Sequence, residues 1–252
     1  MRRIRIYSAE PLTAHAPAEL GAGPARHVGQ VLRMQPGQAL TLFDGLGGEY
    51  QAEITHCTRD KLRVAVGEHT PRECESPLQV TLWHALCKAT RMDSIVQKAT
   101  ELGVACIQPV HTERSQVKLN AARAQRKVRH WTDIAIGACE QSGRNRLPVI
   151  AAPAAFGALL PLAARFDRAL LLDPDGEEPM GAVKLGAGTA LVLTGPEGGF
   201  SAAERAAAAA HGIASVSLGP RVLRTETAPV AALAILQALA GDFRTTQARR
   251  AD

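Results

Sequence analysis

The sequence predicts an α/β protein in which a small all-β domain precedes a mostly parallel sheet covered by helices on both faces. Three observations predict it. Past residue 78, apolar runs of strand length alternate with amphipathic helical patterns. Parallel strands joined by helices bury both faces of their sheet. Between residues 39 and 66, short alternating strands are punctuated by Asp44-Gly45 and Gly47-Gly48, which are the residues of tight hairpin turns. The polar stretch Thr70–Pro77, with a proline at 71 and another at 77, separates the two patterns and marks a domain boundary.

Taken in order, Arg3 and Arg5 alternate with Ile4 and Ile6, so a strand here projects both arginines from one face. The same alternation argues against a signal peptide, which needs an apolar run. Gly29–Arg33 reads as a short helix stopped by Pro36-Gly37. Ala39–Phe43, Glu49–Ile54 and Lys61–Val66 are the strands of a small barrel or sandwich, giving a first domain over residues 1–72. Leu78–Leu86 is the first strand of the second domain. Arg91–Leu102 is a helix with Ile95, Val96, Ala99 and Leu102 on one face, capped by Gly103. Ala105–Val110 is a strand, Trp131–Gln141 a helix ending near Gly143, and Arg123–Arg129 a further helical stretch carrying four positive charges. Ala169–Asp173, Thr189–Thr194 and Ala214–Leu218 are buried strands, while Ala202–His211 and Thr227–Ala240 are helices. The second domain spans 78–243, and residues 244–252 are expected to form an unstructured tail.

Composition narrows the function. The 252 residues are 46% hydrophobic and carry a net charge of +5, so the surface suits an acidic partner. Cys57, Cys74, Cys87, Cys106 and Cys139 form no C-x-x-C pair and no cluster with histidine at zinc spacing. Reduced thiols, a cytoplasmic location and no bound metal are therefore expected. No apolar segment approaches the roughly 20 residues of a membrane span, so no membrane partner is expected.

Ligands of parallel sheets sit beyond the carboxyl ends of the strands, and two segments there are unusual. The first is Gly195-Pro-Glu-Gly-Gly-Phe200, followed by Ser201 and Glu204 at capping-box spacing. The second is Gly219-Pro-Arg-Val-Leu-Arg-Thr-Glu-Thr-Ala228, with two arginines and a glutamate in one loop. The less favoured alternative is that Thr225 or Thr227 caps the last helix and the arginines are solvated. Neither loop matches the dinucleotide fingerprint or the phosphate loop, which argues against a nucleotide-dependent oxidoreductase. His84 and His111 lie near strand ends without a carboxylate or cysteine at useful spacing and read as structural or RNA-facing. Trp83 and Trp131 read as core.

Leu193–Ser201 and Leu218–Ala228 together resemble the signature of the SPOUT methyltransferases. More narrowly, they are similar to the family that methylates N3 of a uridine in bacterial small-subunit ribosomal RNA. His27–Arg33, Lys88, Lys98–Gly103, Glu113–Ser115 and Glu140–Arg144 extend the resemblance over nearly the whole chain. It implies a deep trefoil knot in the C-terminal domain, a PUA-like RNA-binding barrel in the N-terminal one, a homodimer, and S-adenosylmethionine held by loops after Leu172, Thr194 and Leu218. The implied cofactor contacts are backbone groups of Gly195, Gly199, Leu218 and Gly219, walls from Leu193, Leu223 and Ala228, and Leu172, Thr194 and Arg224 beside them. Uracil N3 must lose its proton before it attacks a methyl group. Arg221 or Arg224 can stabilise the developing anion, with Arg221 favoured, and Glu226 is the nearest proton acceptor in sequence unless it pairs with Arg224. Candidate contacts to 16S ribosomal RNA or the small subunit are Arg3, Arg5, Arg26, His27 and Arg33 in the first domain. Lys88, Arg91, Arg114 and Lys118 are the candidates in the second. Other readings are a ribose 2′-hydroxyl or transfer RNA base as target, or a non-catalytic RNA-binding protein.

Overall fold

Period-two burial builds the first unit, which in the computed structural model comprises residues up to Glu75 together with Cys139–Leu147; residues 4–244 are described. Its elements are β1 (Arg5–Tyr7), β2 (Pro17–Leu20), α1 (Ala22–Arg26), β3 (Ala39–Phe43), β4 (Glu49–Cys57) and β5 (Leu62–Thr70). The strands lie in the order β1-β3-β4-β5-β2. β1 runs parallel to β3, and the other pairings are antiparallel. In β5, Leu62, Val64 and Val66 point inward with Ile6, Leu42 and Ile54 while Arg63 faces solvent, as alternation along a strand requires.

Two differences from expectation have physical reasons. The helix expected at 29–33 starts earlier: α1 opens at Ala22 and runs into a π turn over His27–Val31. Pro24 sits in the first turn of α1, where its missing N–H costs nothing, so it starts the helix instead of breaking it. The first unit also takes Cys139–Leu147 from far along the chain. Glu140 accepts a hydrogen bond from the Tyr7 backbone N–H (3.0 Å), and the Arg144 guanidinium pairs with Glu75 (Nε to Oε1, 3.0 Å). Contacts this remote in sequence leave no periodic trace.

The second unit runs from Ser76 to Ala138 and resumes at Pro148. It contains β6 (Leu78–Ala85), α2 (Ala89–Glu101), β7 (Val104–His111), α3 (Ala121–Ser142, its last four residues excepted), β8 (Val149–Ile150) and β9 (Ala154–Ala155). It continues with α4 (Phe156–Leu159), β10 (Arg168–Leu172), β11 (Glu178–Pro179), β12 (Gly188–Thr194), α5 (Ala202–Ala210), β13 (Ala214–Ser217) and α6 (Thr227–Ala240). The sheet order is β11-β13-β10-β12-β6-β7-β8, with β9 also on β7, and every pairing is parallel. Both faces are covered, so successive residues of one strand serve two cores. Val80, Leu82, Leu170, Val192 and Val216 pack with α2 and α6, whereas Trp83, Leu171, Leu191 and Leu193 pack with Phe156, Leu159 and Ala208.

Trp83 and Trp131 are core residues, and the Trp131 indole N–H is satisfied by Asp93 Oδ1 at 3.1 Å. All five cysteines are free. Asp242–Arg244 forms a 3₁₀ turn; Arg3 and the tail from residue 245 lie outside the described residues. No described helix is long and apolar enough to cross a membrane.

Candidate active site

Because β10, β12 and β13 are neighbouring parallel strands, the loops leaving their carboxyl ends converge on one place. There they wall a cavity of about 470 Å³. Leu172, Asp173 and Pro174 come from the first loop, Thr194–Glu197 and Gly199 from the second, and Leu218, Gly219, Arg221–Thr225 and Ala228 from the third.

Local chemistry sets each wall. Ser201 and Glu204 form the expected capping box at the start of α5 (Glu204 N–H to Ser201 Oγ 3.1 Å; Ser201 N–H to Glu204 Oε2 2.9 Å). The second carboxylate oxygen of Glu204 accepts the Glu113 N–H at 2.9 Å, and Arg114 donates to the Gly198 carbonyl at 2.7 Å. The segment after β7 thus staples the glycine loop. A Cβ on Gly195 would lie 3.2 Å from Gly199 Cα, tighter than ordinary contact, so a side chain there would press the turn apart by a few tenths of an ångström. Gly219 has φ +88°, a left-handed conformation that launches the third loop. Thr225 does not cap α6; its hydroxyl donates to the Gly195 carbonyl at 2.9 Å and ties the third loop to the second. Glu226 occupies the cap position of α6 without a side-chain cap bond.

Nine of the ten residues expected to hold the cofactor line this cavity: Leu172, Thr194, Gly195, Gly199, Leu218, Gly219, Leu223, Arg224 and Ala228. Leu193 does not. It is 1% exposed and its side chain belongs to the core with Leu191 and Leu171, because it sits one strand position short of the sheet's edge. Arg221 lines the cavity and is exposed. Glu226 lies behind the lining. It pairs with Arg91 (Nε to Oε2, 3.6 Å) and not with Arg224, and that buried Oε2 makes no hydrogen bond among the described residues.

The proposed RNA contacts separate into groups. Arg5 is not available to a phosphate: its side chain is 10% exposed, its guanidinium is held by Glu49 and Asn145 and donates to the Arg144 carbonyl, and it stacks 4.9 Å from the Phe43 ring centre. The strand that was expected to project it outward faces it into the unit. Arg91 is a wall of the cavity, bound to Glu197 as well as Glu226. Arg114 serves the glycine loop. Arg26, His27, Arg33, Lys88 and Lys118 are exposed.

Asp173, Pro174, Pro196, Glu197, Val216, Val222 and Thr225 line the cavity although sequence reasoning did not select them. Four of them, Asp173, Pro174, Pro196 and Glu197, lie within three residues of a strand end, and that position is the signal that would have found them. Asp173 is 8% exposed, accepts the Asp175 N–H at 3.1 Å and faces Arg205 Nε at 3.4 Å. At the end of β6, His84 is completely buried and shares a hydrogen bond with the Thr194 hydroxyl. Burial pushes its pKa down to about 3, so it is a neutral support for the wall and no acid.

The cavity suits a ligand of nucleoside size. Its volume falls within the roughly 300–1,000 Å³ of small-molecule sites. Leu172, Val216, Leu218, Leu223 and Ala228 offer apolar surface, and Asp173 offers a buried carboxylate that can accept from hydroxyl or ammonium groups.

Comparison with known proteins agrees with this geometry. Residues 74–237 match the model of an RNA methyltransferase domain and residues 25–67 that of an RNA methyltransferase PUA domain. The ribosomal RNA small subunit methyltransferase E of Synechocystis is 35% identical over 93% of this chain and 77% of its own length. The chain belongs to the family of ribosomal RNA small subunit methyltransferase E. A Neisseria gonorrhoeae member of this methyltransferase E family, solved bound to S-adenosyl methionine, is 36% identical, with a TM-score of 0.89 over 96% of this chain and 100% of that one. A Legionella pneumophila methyltransferase solved with its cofactor SAM is 40% identical, with a TM-score of 0.93 over 96% and 100% of the two chains.

Proposed function

We propose that this methyltransferase transfers a methyl group from S-adenosylmethionine to N3 of a uridine in 16S ribosomal RNA of the small subunit. The observation that carries the reading is the three-loop cavity with Arg221 and Arg224 at its wall and no acidic partner for either among the described ion pairs. When bound, S-adenosylmethionine supplies an electrophilic methyl group on a sulfonium. The apolar side chains and the backbone of the three loops would hold it, and Asp173 would accept its polar hydrogens.

Uracil N3 becomes nucleophilic by losing its proton, and the resulting anion spreads charge onto its carbonyl oxygens. An unpaired guanidinium at the cavity wall stabilises that charge by charge-assisted hydrogen bonds. Arg221 is assigned this catalytic contact, and Arg224 the cofactor side. Glu226, whose Oε2 makes no hydrogen bond among the described residues and lies 3.6 Å from Arg91 Nε, is assigned the role of proton acceptor. Arg91, bridging Glu197 of the second loop and Glu226 of the third, positions that carboxylate.

The resemblance to SPOUT enzymes extends the reading to a trefoil knot, a closed PUA-like barrel, a homodimer and a cytoplasmic site of action. In support of the knot, the chain leaves β13, passes the Gly195 loop at Thr225, and continues as α6 against α2 and β12. In support of the barrel, five strands share one core. In support of the dimer, α6 is apolar almost all round, with Val230, Ala231 and Ile235 only partly covered within the chain. Exposed Arg26, His27 and Arg33 are the RNA contacts of the first unit.

Mapping modified uridines in 16S ribosomal RNA from cells lacking this protein tests the function. One N3-methyluridine should vanish and return when the wild-type chain is restored. An unchanged modification profile refutes it, and loss of a ribose methyl or of a transfer RNA modification would reassign the target.

A further inference from the structure

The N-terminal half of α3 is built against local electrostatics. Between Glu113 and Asp133 there is no acidic residue, but there are six cations: Arg114, Lys118, Arg123, Arg126, Lys127 and Arg129. Arg114 is engaged with the Gly198 carbonyl, and Lys127 lies 6.0 Å from the Trp131 ring centre. Arg123, Arg126 and Arg129 are exposed and form no ion pair among the described residues. Helices favour anions near their N-termini, yet the first turn of α3 has none. Arg123 with Arg126, and Arg126 with Arg129, are like charges three positions apart, and such pairs destabilise an isolated helix. Folding gains nothing from this pattern, and local conflicts of this kind mark functional surface.

Topology says where the charges lie. β6, β7 and β8 are parallel, so α2 and α3 both run back from the carboxyl ends of strands, the end at which the cavity opens. The two helices are level where Asp93 of α2 meets His130 and Trp131 of α3 (3.0 and 3.1 Å). Ahead of that level α2 has four residues and α3 has nine. At 1.5 Å per residue α3 carries about 7 Å more helix toward the cavity end, with Arg123 on the extra length and Arg126 at its base.

We propose that this basic arm is an RNA-contacting surface of the methyltransferase unit, gripping the phosphate backbone that flanks the target nucleotide. The proposal rests on the RNA substrate read above. Arginines spaced three apart on a helix follow a line of phosphates without reading bases, as a surface needs when recognition of the target lies elsewhere.

The test is the variant R123Q/R126Q/R129Q, compared with wild type for affinity to a 16S ribosomal RNA fragment across a salt series, affinity for S-adenosylmethionine, and thermal melting. Losing three phosphate contacts should weaken RNA binding about tenfold or more at moderate salt. The slope of log affinity against log salt should become shallower by about two to three. Cofactor affinity should stay the same, and Tm should be equal or higher because like-charge repulsion is removed. Unchanged RNA affinity and salt slope would overturn the proposal, as would a Tm lowered by several degrees, which would make the charges part of the fold. Loss of binding to anionic phospholipid vesicles with RNA affinity intact would assign the arm to a membrane and equally overturn it. If wild type binds cofactor and methylates uridine while the variant binds RNA normally, only the arm fails. If wild type binds RNA through the arm but methylates no uridine, only the target assignment fails.

Discussion

Two sets of arginines, one in each unit, are used in opposite ways. In the first, Arg5 and Arg72 share Glu49, and Arg144 pairs with Glu75 at 4% side-chain exposure. Each is engaged by a carboxylate, and directed hydrogen bonds from Arg5 to Asn145 and the Arg144 carbonyl fix residues 139–147 in place. In the second unit, Arg221 and Arg224 stand at the cavity wall, and Arg123, Arg126 and Arg129 along α3, without acidic partners among the described residues. An arginine with its carboxylate already in place belongs to the fold, whereas one left without a partner is available to a substrate that brings the negative charge.

The sharpest way to break this comparison is Arg221→Ala. Removing a preorganised donor from a developing anion costs about 10²- to 10³-fold in rate. Turnover should fall by that order while cofactor affinity, measured by calorimetry, changes less than tenfold and Tm does not fall. Near-normal turnover would remove Arg221 from the chemistry, and cofactor binding lost in parallel would make it a cofactor-holding residue only.

Arg144→Ala should do the reverse. Stranding Glu75 beside a buried vacancy costs about 3 kcal/mol of stability, read as a lower urea midpoint, with turnover per folded molecule retained. A stability change within about 0.5 kcal/mol, the usual range for surface substitutions, would place this arginine among the solvated ones.

The smallest effect belongs to Glu140. Burial raises its pKa, outweighing the Tyr7 N–H that stabilises the charged form. A carboxyl with a raised folded pKa binds its proton more tightly in the native state. Its stability contribution is therefore greatest at acid pH and is lost as pH climbs from the unfolded value through the raised one. Glu140→Gln keeps an acceptor for Tyr7 without the charge, so urea unfolding should find the variant gaining on wild type between about pH 4 and pH 7. A gain in the opposite direction would mean that attraction to Arg5 and His27 outweighs burial.

Sequence periodicity located the long elements well where one pattern ruled: β6, α2, β12 and α6 fall within a few residues of where apolar spacing put them. It did less well with Ala22–Val31, whose helix it began only at Gly29, and it did not find β8, β9 or β11, two-residue strands too short for any period. The cavity was legible because glycines and charges past strand ends are local signals. The Arg91 bridge was not, because an ion pair between two loops acquires its role from what folds over it.

By itself, the amino-acid order determined the alternation of strand and helix, the glycine and arginine loops, and the cationic stretch of α3, all properties of residues within a few positions of one another. Only the tertiary structure decided which arginines are spent. Arg5 and Arg221 are chemically the same side chain, and the difference between them is a carboxylate at position 49 brought in by strand pairing. Coulombic pairing depends on distance in space, which sequence separation does not encode.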